Sequence, residues 1–265
     1  MGAVSDRALC LRRFPYSESS LVVRLLTREH GRVHLLARGT YRPRSRTYAL
    51  LDLFDTLELT WTQNPRRELG ELVEGRIVRR RRDIPASLPA FRCGSSMLEL
   101  AHIGSLVGQR DRPLFDLLER SLDRLCEPAI PAGITGAGFE LGFLEVHGLS
   151  PALTTCASCG GEAPASPRSP ARAAFSAGAG GRLCAPCADQ ARAAGRRVGT
   201  LPLDALDAAA VLRPFATGTG GPIELESDLL ERVRDFIARF LDYHLGTRPR
   251  THQAFLAAEN RNAPR

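Results

Sequence analysis

Two cysteine pairs constrain the folding of this chain more than any other feature of its sequence. Cys156-Ala-Ser-Cys159 and Cys184-Ala-Pro-Cys187 are C-x-x-C motifs, and 24 residues separate them. Structural zinc sites take four thiolates in a tetrahedron, and each C-x-x-C turn brings two sulfur atoms together. The pattern therefore predicts a module folded around one structural Zn²⁺ per chain, bound by Cys156, Cys159, Cys184 and Cys187. Four thiolates leave no open coordination position, so we expect no catalysis at this metal.

Two other interpretations of these cysteines stay open. Taken alone, Cys184-Ala-Pro-Cys187 is also typical of a thiol-disulfide redox pair, which requires a β-α-β context. Alternatively, the four cysteines are free thiols at an empty or degenerate site. The spacer exceeds the usual ~15–20 residues of a zinc motif. Residues 163–181 are mostly Ala, Pro, Gly and Ser, and we interpret them as a disordered insertion that accounts for the excess.

The first 80 residues have the alternating pattern of β-strands. Strands are predicted at residues 8–14, 20–27, 32–38, 51–61 and 69–78. Between the second and the third, Glu29-His30-Gly31 predicts a tight hairpin turn. Five short strands in a segment of this length favour a small closed barrel. The oligonucleotide-binding (OB) fold is the most common five-stranded barrel of this kind.

Beyond residue 83 the apolar residues follow helical spacing. Helices are predicted at residues 91–107, 114–125, 139–146 and 229–245, with Gly148 ending the third and Ser227 capping the last. The expected fold class is α+β and multidomain: an N-terminal five-stranded OB-type β-barrel, then an α-helical domain with an inserted four-Cys zinc module. The predicted parts are the barrel at 1–82, the helical domain at 83–152 and 192–246, the zinc module at 153–191 and a flexible tail at 247–265. A single large domain is the alternative for a chain of this length.

The positive charge of the chain is concentrated at its N-terminal end. All 36 cationic side chains are Arg, with no Lys; residues 1–82 hold 17 Arg against nine acidic residues, and the remainder holds 19 against 20. Such a segregated field indicates a polyanionic partner. The absence of Lys excludes a Walker A loop, a protein-kinase site and any Schiff-base mechanism. Because the chain also has no G-x-S-x-G or H-E-x-x-H motif, we expect no enzymatic activity.

We predict that arginines around the barrel bind nucleic-acid phosphates. Guanidinium groups bind phosphate through two hydrogen bonds and also stack on bases. The predicted DNA-binding residues are Arg12, Arg13, Arg24, Arg38, Arg42, Arg44 and Arg46. The candidate stacking platform for bases is Tyr16, Tyr41 or Tyr48. The run 79–82 either extends this surface or links the barrel to acidic helices. Without a base-reading motif, binding is expected to be independent of sequence and sensitive to salt.

Three segments of the chain, in their order and spacing, resemble the RecO family of recombination mediator proteins. The first is GRVHLLARG at 31–39 with the following Arg-rich loop and LDLFD at 51–55. The second is FELGFLEVHGL at 139–149, which leads into the two cysteine pairs. The third is His244-Leu245-Gly246 with Arg248. Together these segments extend the resemblance over nearly the whole chain.

The resemblance implies an OB barrel, a helical domain and a four-Cys zinc module. It also implies a DNA repair and recombination mediator that binds single- and double-stranded DNA and anneals complementary strands without ATP. RecR is the implied partner, and the pair helps to load RecA onto DNA coated by single-stranded-DNA-binding protein. The acidic C-terminal tail of that coating protein docks on the helical domain in this family. An RNA-binding or transcription-associated OB-fold/zinc-ribbon protein remains the alternative.

The sequence shows no membrane or export signal. It has no run of the ~18 apolar residues that a transmembrane helix needs, and no signal-peptide core near its start. We therefore expect a cytoplasmic, nucleoid-associated protein with no membrane partner.

Overall fold

The computed structural model describes residues 2–63, 68–166, 169–217, 223–247 and 249–259. Arg248, which belongs to the third family-like segment, lies outside these residues. The chain divides into two compact units, residues 1–128 and 129–265. The first unit therefore extends past the predicted barrel and includes the helices that follow it.

The first unit is built on a five-stranded barrel. Its strands are β1 (Ala3–Pro15), β2 (Leu21–Thr27), β3 (Gly31–Ala37), β4 (Thr56–Thr62) and β5 (Gly70–Arg79). They pair in the order β1-β2-β3-β5-β4, and β4 pairs back onto β1. The β3–β5 join is parallel and short, with Leu35 beside Gly70 and Leu36 beside Glu71. This pairing confirms the predicted OB-type barrel.

Alternate residues of the strands fill the barrel interior. Leu25, Leu35, Leu57 and Leu59 are fully buried there, and the only Trp of the chain, Trp61, lies among them. Because side chains alternate between the two faces of a strand, the period-two pattern of the sequence places one face of each strand inside. The barrel interior is therefore an apolar core, and Trp61 is a natural spectroscopic probe of it.

The β2–β3 hairpin turn requires glycine. Gly31 has φ +66°, a left-handed conformation that glycine adopts without a steric penalty. A β-carbon at this position would also overlap the backbone carbonyl of Gln109. The predicted tight turn is confirmed at this residue.

The connection from β3 to β4 differs from the prediction. A long strand was expected over residues 51–61, but β4 begins only at Thr56, and the short helix α1 (Thr47–Leu50) precedes it. Phe54 has φ +72°, which interrupts an extended strand. Its buried ring packs edge-to-face on Phe91, with ring centroids 5.6 Å apart. Leu51 and Leu53 of this loop both pack on the barrel core, and their spacing of two residues resembles strand alternation in the sequence.

Three helices complete the first unit: α2 (Asp83–Ala86), α3 (Leu88–Gly104) and α4 (Arg112–Arg124). The side chains of Ser87 and Asp111 cap α3 and α4 by accepting backbone N–H hydrogen bonds. Helix α3 packs against β1 and α4. Leu9 lies on the outer face of β1, outside the barrel interior, yet it is fully buried. One outer face of the barrel is therefore covered within its own unit.

A buried arginine joins the end of β5 to α4. The Arg81 guanidinium donates hydrogen bonds to the Phe54 carbonyl (2.6 Å), Thr56 Oγ1 (3.1 Å) and Asp123 Oδ1 (2.7 Å). Its backbone N–H donates to Asp55 Oδ1 at 2.8 Å. Of the two interpretations of the run 79–82, the link to an acidic helix therefore holds for Arg81.

The second unit combines helices with a small sheet. Its elements are α5 (Ala132–Val146), β6 (Arg172–Ser176), β7 (Gly181–Leu183), α6 (Ala185–Ala193), β8 (Gly199–Pro202), α7 (Leu203–Thr217), α8 (Ser227–Leu245) and α9 (Arg250–Glu259). Helices α5, α7 and α8 pack on one another, and the strands are ordered β7-β6-β8. Gly148 follows α5 with φ +68°, as predicted for a helix end. Ser227 is the first residue of α8 and not its cap, since the flanking residue is Glu226.

The prediction of disorder for residues 163–181 is wrong from Arg172 onward. Arg172–Ser176 forms the central strand of the small sheet. Ala173 and Phe175 are buried, and the Phe175 ring packs edge-to-face on Phe236 with centroids 5.2 Å apart. The average composition of the segment concealed this short alternation. Residues 167 and 168 lie outside the described residues.

The prediction of a flexible tail at 247–265 is wrong over α9. His252 and Phe255 are buried, and His252 Nε2 lies 2.8 Å from Glu140 Oε1 on α5. The Arg234 guanidinium lies over the Phe255 ring, 4.0 Å from its centroid. Burial alone would lower the pKa of His252, but the neighbouring Glu140 carboxylate raises it above its ordinary value. A buried polar anchor of this kind does not appear in a hydrophobic pattern.

The Arg81 network predicts a large loss of stability on its removal. Arg81→Leu leaves the Phe54 carbonyl without its buried donor and removes one of the two arginines that pair with Asp123, so the free energy of unfolding should fall by about 3 kcal/mol. Denaturant unfolding followed by Trp61 emission measures this change. The adjacent Arg82 is exposed, and Arg82→Leu should change stability by less than about 0.5 kcal/mol. An equal loss of unfolding free energy in the two variants would contradict the stabilising role assigned to Arg81.

Candidate metal centre and nucleic-acid interface

The four paired cysteines converge on one point in the second unit. Cys184 precedes α6 directly and Cys187 lies in its first turn, while Cys156 and Cys159 lie in the loop that follows α5. Their four Sγ atoms lie within 4.8 Å of one another, and Cys159 Sγ is 3.9 Å from Cys184 Sγ. A tetrahedron with Zn–S bonds of about 2.3 Å has edges of about 3.8 Å. The donor set and its spacing therefore fit a four-thiolate metal site.

Backbone N–H groups favour the thiolate form at this site. Burial raises the pKa of Cys156, but hydrogen bonds from the backbone of Cys184, Cys159 and Ser158 outweigh it and lower that pKa to about 6. The pKa of Cys187 is raised to about 12, first by its hydrogen bond with Cys184. Sulfur atoms this close cannot all carry negative charge unless a cation lies among them, which is what a metal ion supplies.

Cys184-Ala-Pro-Cys187 directly follows β7 and opens α6. Strand β6 pairs antiparallel with both β7 and β8, so β7 and β8 run parallel, and β7-α6-β8 has the strand-helix-strand order that a redox pair requires. A redox pair uses two cysteines, however, whereas here the Sγ atoms of Cys156 and Cys159 converge on the same point as those of the second pair. The backbone of Ala157 donates to the Arg182 carbonyl at 2.8 Å and so fixes the first cysteine pair against β7. The geometry thus favours the metal interpretation over the redox one.

The strand arginines of the barrel lie under α3. Arg12 and Arg24 are cross-strand neighbours on β1 and β2. Arg12 forms an ion pair with Glu99 of α3 at 3.5 Å, and Arg24 Nη1 donates to His102 Nε2 at 3.1 Å. Arg32, which the sequence analysis did not select, donates to the His102 carbonyl. These guanidinium groups are therefore engaged with α3 and only partly exposed.

His102 stays neutral among these arginines. Burial lowers its pKa, and the charges of Arg12, Arg32 and Arg24 lower it further, to about 4. A neutral imidazole accepts the Arg24 hydrogen bond at Nε2, which a protonated ring cannot do. The contact between α3 and the barrel thus depends on an uncharged His102.

The other predicted arginines lie on the β3–β4 connection and are exposed: Arg38, Arg42, Arg44 and Arg46. Arg38 pairs with Glu71 at 2.6 Å, and both side chains are well exposed. Such surface pairs stabilise a protein by only about 0–1 kcal/mol, so a phosphate can displace the carboxylate. The structure leaves these four guanidinium groups at the surface, and their role in DNA binding stays a prediction.

Arg13 lies between the two groups of arginines. It forms an ion pair with Asp52 at 3.2 Å, and its guanidinium lies 5.3 Å from the centre of the Tyr48 ring. The predicted DNA-binding residues thus form two neighbouring groups joined by Arg13, one engaged with α3 and one open.

The three candidate stacking tyrosines are exposed at one end of the barrel. The rings of Tyr41 and Tyr48 lie 5.7 Å apart, and the Tyr41 backbone donates to Ser19 in the β1–β2 turn at 3.3 Å. Tyr16 belongs to the same turn, since its N–H bonds to the Ser20 carbonyl. Aromatic faces beside guanidinium groups are what a non-specific single-strand site requires.

A groove lies between the β3–β4 connection and β5, with a volume of about 680 Å³. Two predicted residues line it, Arg38 and Arg46, together with Arg76 of β5 and Arg80. Arg76 was missed because its strand position gave no reason to select it over the other arginines.

These features define a class of protein: an OB barrel with an arginine-rich surface, joined in one chain to a helical unit that carries a four-thiolate centre. The family model described as Recombination protein O N terminal matches residues 1–81, and that described as Recombination protein O C terminal matches residues 86–253. The chain belongs to the RecO family.

Curated relatives agree with this assignment. The DNA repair protein RecO of Anaeromyxobacter sp. (strain K) is 35% identical over 257 residues, 94% of each chain. That of Anaeromyxobacter sp. (strain Fw109-5) is 34% identical over 245 residues, 91% of this chain and 90% of the relative. That of Rubrobacter xylanophilus is 31% identical over 191 residues, 72% and 74% of the two chains. The similarity thus extends over both units.

Within the described residues, none of the helices combines the length and apolar character that crossing a bilayer demands.

Metal binding predicts a selective effect of cysteine substitution. The purified protein should contain about one equivalent of Zn²⁺, and Cys184→Ser should remove it and unfold the small sheet. Elemental analysis and circular dichroism measure the two effects. Cys126 is not one of the four converging cysteines and is half-buried, so Cys126→Ser is the matched control and should keep the metal. Full metal content in Cys184→Ser would contradict the site.

The neutral His102 predicts acid sensitivity of the first unit. Because its pKa is lowered to about 4 in the folded state, its contribution to stability is complete above about pH 6.5 and is lost as the pH falls towards 4. The urea midpoint followed by Trp61 emission should therefore fall between about pH 7 and about pH 5. In His102→Gln, whose amide oxygen still accepts from Arg24, this fall should be smaller. An identical fall in both proteins would show that other groups cause it.

Proposed function

We propose that this protein is a non-catalytic mediator of DNA recombination and repair. It binds single- and double-stranded DNA without sequence specificity and anneals complementary strands without ATP. The observation that carries this proposal is the exposed arginine set of the β3–β4 connection, Arg38, Arg42, Arg44 and Arg46, beside three exposed tyrosines. Membership of the RecO family supports the biological setting.

Annealing of this kind needs charge neutralisation and no reaction step. Two DNA strands repel each other through their phosphates, and guanidinium groups that replace the bound counterions reduce that repulsion. Exposed carboxylate partners such as Glu71 hold these arginines only weakly, so they exchange readily for phosphate. The proposed DNA-binding set also keeps Arg12, Arg13 and Arg24, whose charges add to the positive field. Arg12 and Arg24 contact α3 at the same time, and Arg13 contacts Asp52 and Tyr48.

The metal of the four-thiolate centre is proposed to be Zn²⁺ with a structural role. Cys156, Cys159, Cys184 and Cys187 would hold it, and the bound ion would neutralise their charge and keep the small sheet in place. The protein's own backbone N–H groups orient Cys156 for this purpose.

The proposed partners are RecR, single-stranded-DNA-binding protein and, indirectly, RecA. With RecR the protein would help to load RecA onto coated DNA, and its DNA binding would place it at the nucleoid. For the acidic tail of the coating protein, we propose a cavity of about 180 Å³ in the second unit. Phe175, Phe236 and Phe240 line it, and Arg239 supplies a cation at the same cavity. Aromatic walls and a guanidinium suit an acidic peptide with apolar residues.

The DNA-binding proposal predicts a loss of affinity in Arg38→Ala/Arg42→Ala/Arg44→Ala. Affinity for single-stranded DNA should fall about tenfold or more, and the slope of log K against log salt should decrease by about 2, since about 0.7–0.9 is lost per phosphate contact. Fluorescence anisotropy at several salt concentrations measures both. Annealing of complementary strands should proceed without nucleotide in the wild type and fail in the variant.

The matched control removes the same charge from another surface of the first unit. Arg110, Arg112 and Arg120 are exposed, and the triple Ala variant at these positions should keep most of the affinity. Equal losses of DNA affinity in the two triple variants would show that only net charge matters. Unchanged affinity in the Arg38/Arg42/Arg44 variant would contradict the proposal that this surface binds DNA. Competition between single-stranded DNA and a structured RNA of equal length tests the RNA-binding alternative, which predicts preference for the RNA.

A further inference from the structure

We propose that the groove between β5 and the β3–β4 connection holds the unpaired bases of single-stranded nucleic acid. The inference rests on the proposed function and deepens it, because it locates the part of the surface that distinguishes a single strand from a duplex. Val73 of β5 is the residue that we assign to base contact.

The face that OB folds commonly use is engaged in this protein. Many OB folds bind oligonucleotides on the outer face of their second and third strands. Here the β2 residue Arg24 and the β3 residue Arg32 both donate to His102 of α3. Arg12 of β1 pairs with Glu99 of the same helix. A nucleic acid on that face would have to displace α3 contacts, so an open surface elsewhere on the barrel is favoured.

The groove is such an open surface, and its lining combines two chemistries. Arg38, Arg46, Arg76 and Arg80 contribute guanidinium groups, while Leu50 and Val73 contribute apolar surface. Its volume of about 680 Å³ is in the range of pockets for organic ligands of several rings. The guanidinium groups suit phosphates and the apolar surface suits the faces of unstacked bases.

Irregular strand pairing directs Val73 into the groove. On β5, Leu72 pairs with Trp61 and Glu74 pairs with Thr60, so Val73 is an extra residue with no partner on β4. A β-bulge of this kind re-aims a side chain and occurs frequently beside binding sites. Val73 is 59% exposed although it is a β-branched apolar residue in a strand. Contact with bases accounts for an exposed apolar residue in a groove that four arginines, as well as Glu74, also line.

Of the groove arginines, Arg38 and Arg76 are paired with exposed carboxylates, whereas Arg80 pairs with the buried Asp55 at 3.4 Å. Arg76 pairs with Glu58, and Arg38 pairs with Glu71. Since both pairs are exposed, phosphate can compete with the carboxylates. A duplex offers phosphates to these arginines but keeps its bases stacked. Only a single strand can therefore use the guanidinium groups and the apolar surface together.

The test compares Val73→Asn with Val107→Asn. Val107 is the matched control because it is 58% exposed, lies in the same unit and is not part of the groove lining. Each protein is titrated with a normal single strand, an abasic strand of equal length and a duplex, at one salt concentration. The abasic strand keeps the phosphates and lacks the bases, so it isolates base contacts.

The expected result is a loss confined to one ligand. Val73→Asn should weaken binding of the normal strand about fivefold, while binding of the abasic strand and the duplex stays within about twofold. Val107→Asn should leave all three within about twofold of the wild type. Trp61 emission and the unfolding midpoint report whether each variant keeps its fold.

Two failures are distinguishable. If Val73→Asn keeps the wild-type preference for the normal over the abasic strand, the groove inference is overturned while the arginine surface stands. If the wild type binds none of the three ligands, the proposed function itself fails.

Discussion

The buried guanidinium of Arg81 is the contact on which the architecture of the first unit depends. It lies at the end of β5 and donates to the Phe54 carbonyl and Thr56 Oγ1, where β4 begins, and to Asp123 of α4. One side chain thus ties both walls of the groove and a helix to the barrel. A Lys at this position could not make these separate contacts, because its ammonium lacks the planar, forked geometry of guanidinium.

The two units use different physical means to hold short elements together. The barrel relies on alternating apolar residues and closes through strand pairing, so most of its stability comes from burial. The small sheet of the second unit has strands of three to five residues and a modest apolar cluster around Leu183 and Ala188. A small core of this kind usually needs a metal or disulfide for support, and the four converging cysteines offer the sulfur atoms for a metal site.

Local patterns in the sequence predicted the elements that are stabilised locally. The cysteine spacing predicted the four sulfur atoms that converge, and Gly31 marked the hairpin, because both patterns are made of residues close together in the chain. The start of β4 depends on the contact of Phe54 with Phe91, and α9 depends on the pairing of His252 with Glu140, 112 residues away. No periodicity encodes such distant partners, so these features were missed.

The same limit applies to the candidate interface. Composition singled out the N-terminal arginines as a group, but it could not separate Arg24, engaged with His102, from the open Arg42 and Arg44. Arg32 and Arg76 were missed, and Val73 gave no signal, since a bulge depends on the register of two strands. Residue type predicted the chemistry of the surface, while tertiary packing decided which side chains remain available.

The short parallel join between β3 and β5 has a mechanical consequence. Only Leu35 with Gly70 and Leu36 with Glu71 pair along it, whereas every other pair of barrel strands has at least seven partners. Local opening follows the line of fewest hydrogen bonds, so the barrel has a built-in hinge at this join. Ala37 and Leu72 follow the paired residues directly on the two strands, and both line the groove. Local opening of this β3–β5 pairing would therefore change the width of the groove while the rest of the barrel stays folded.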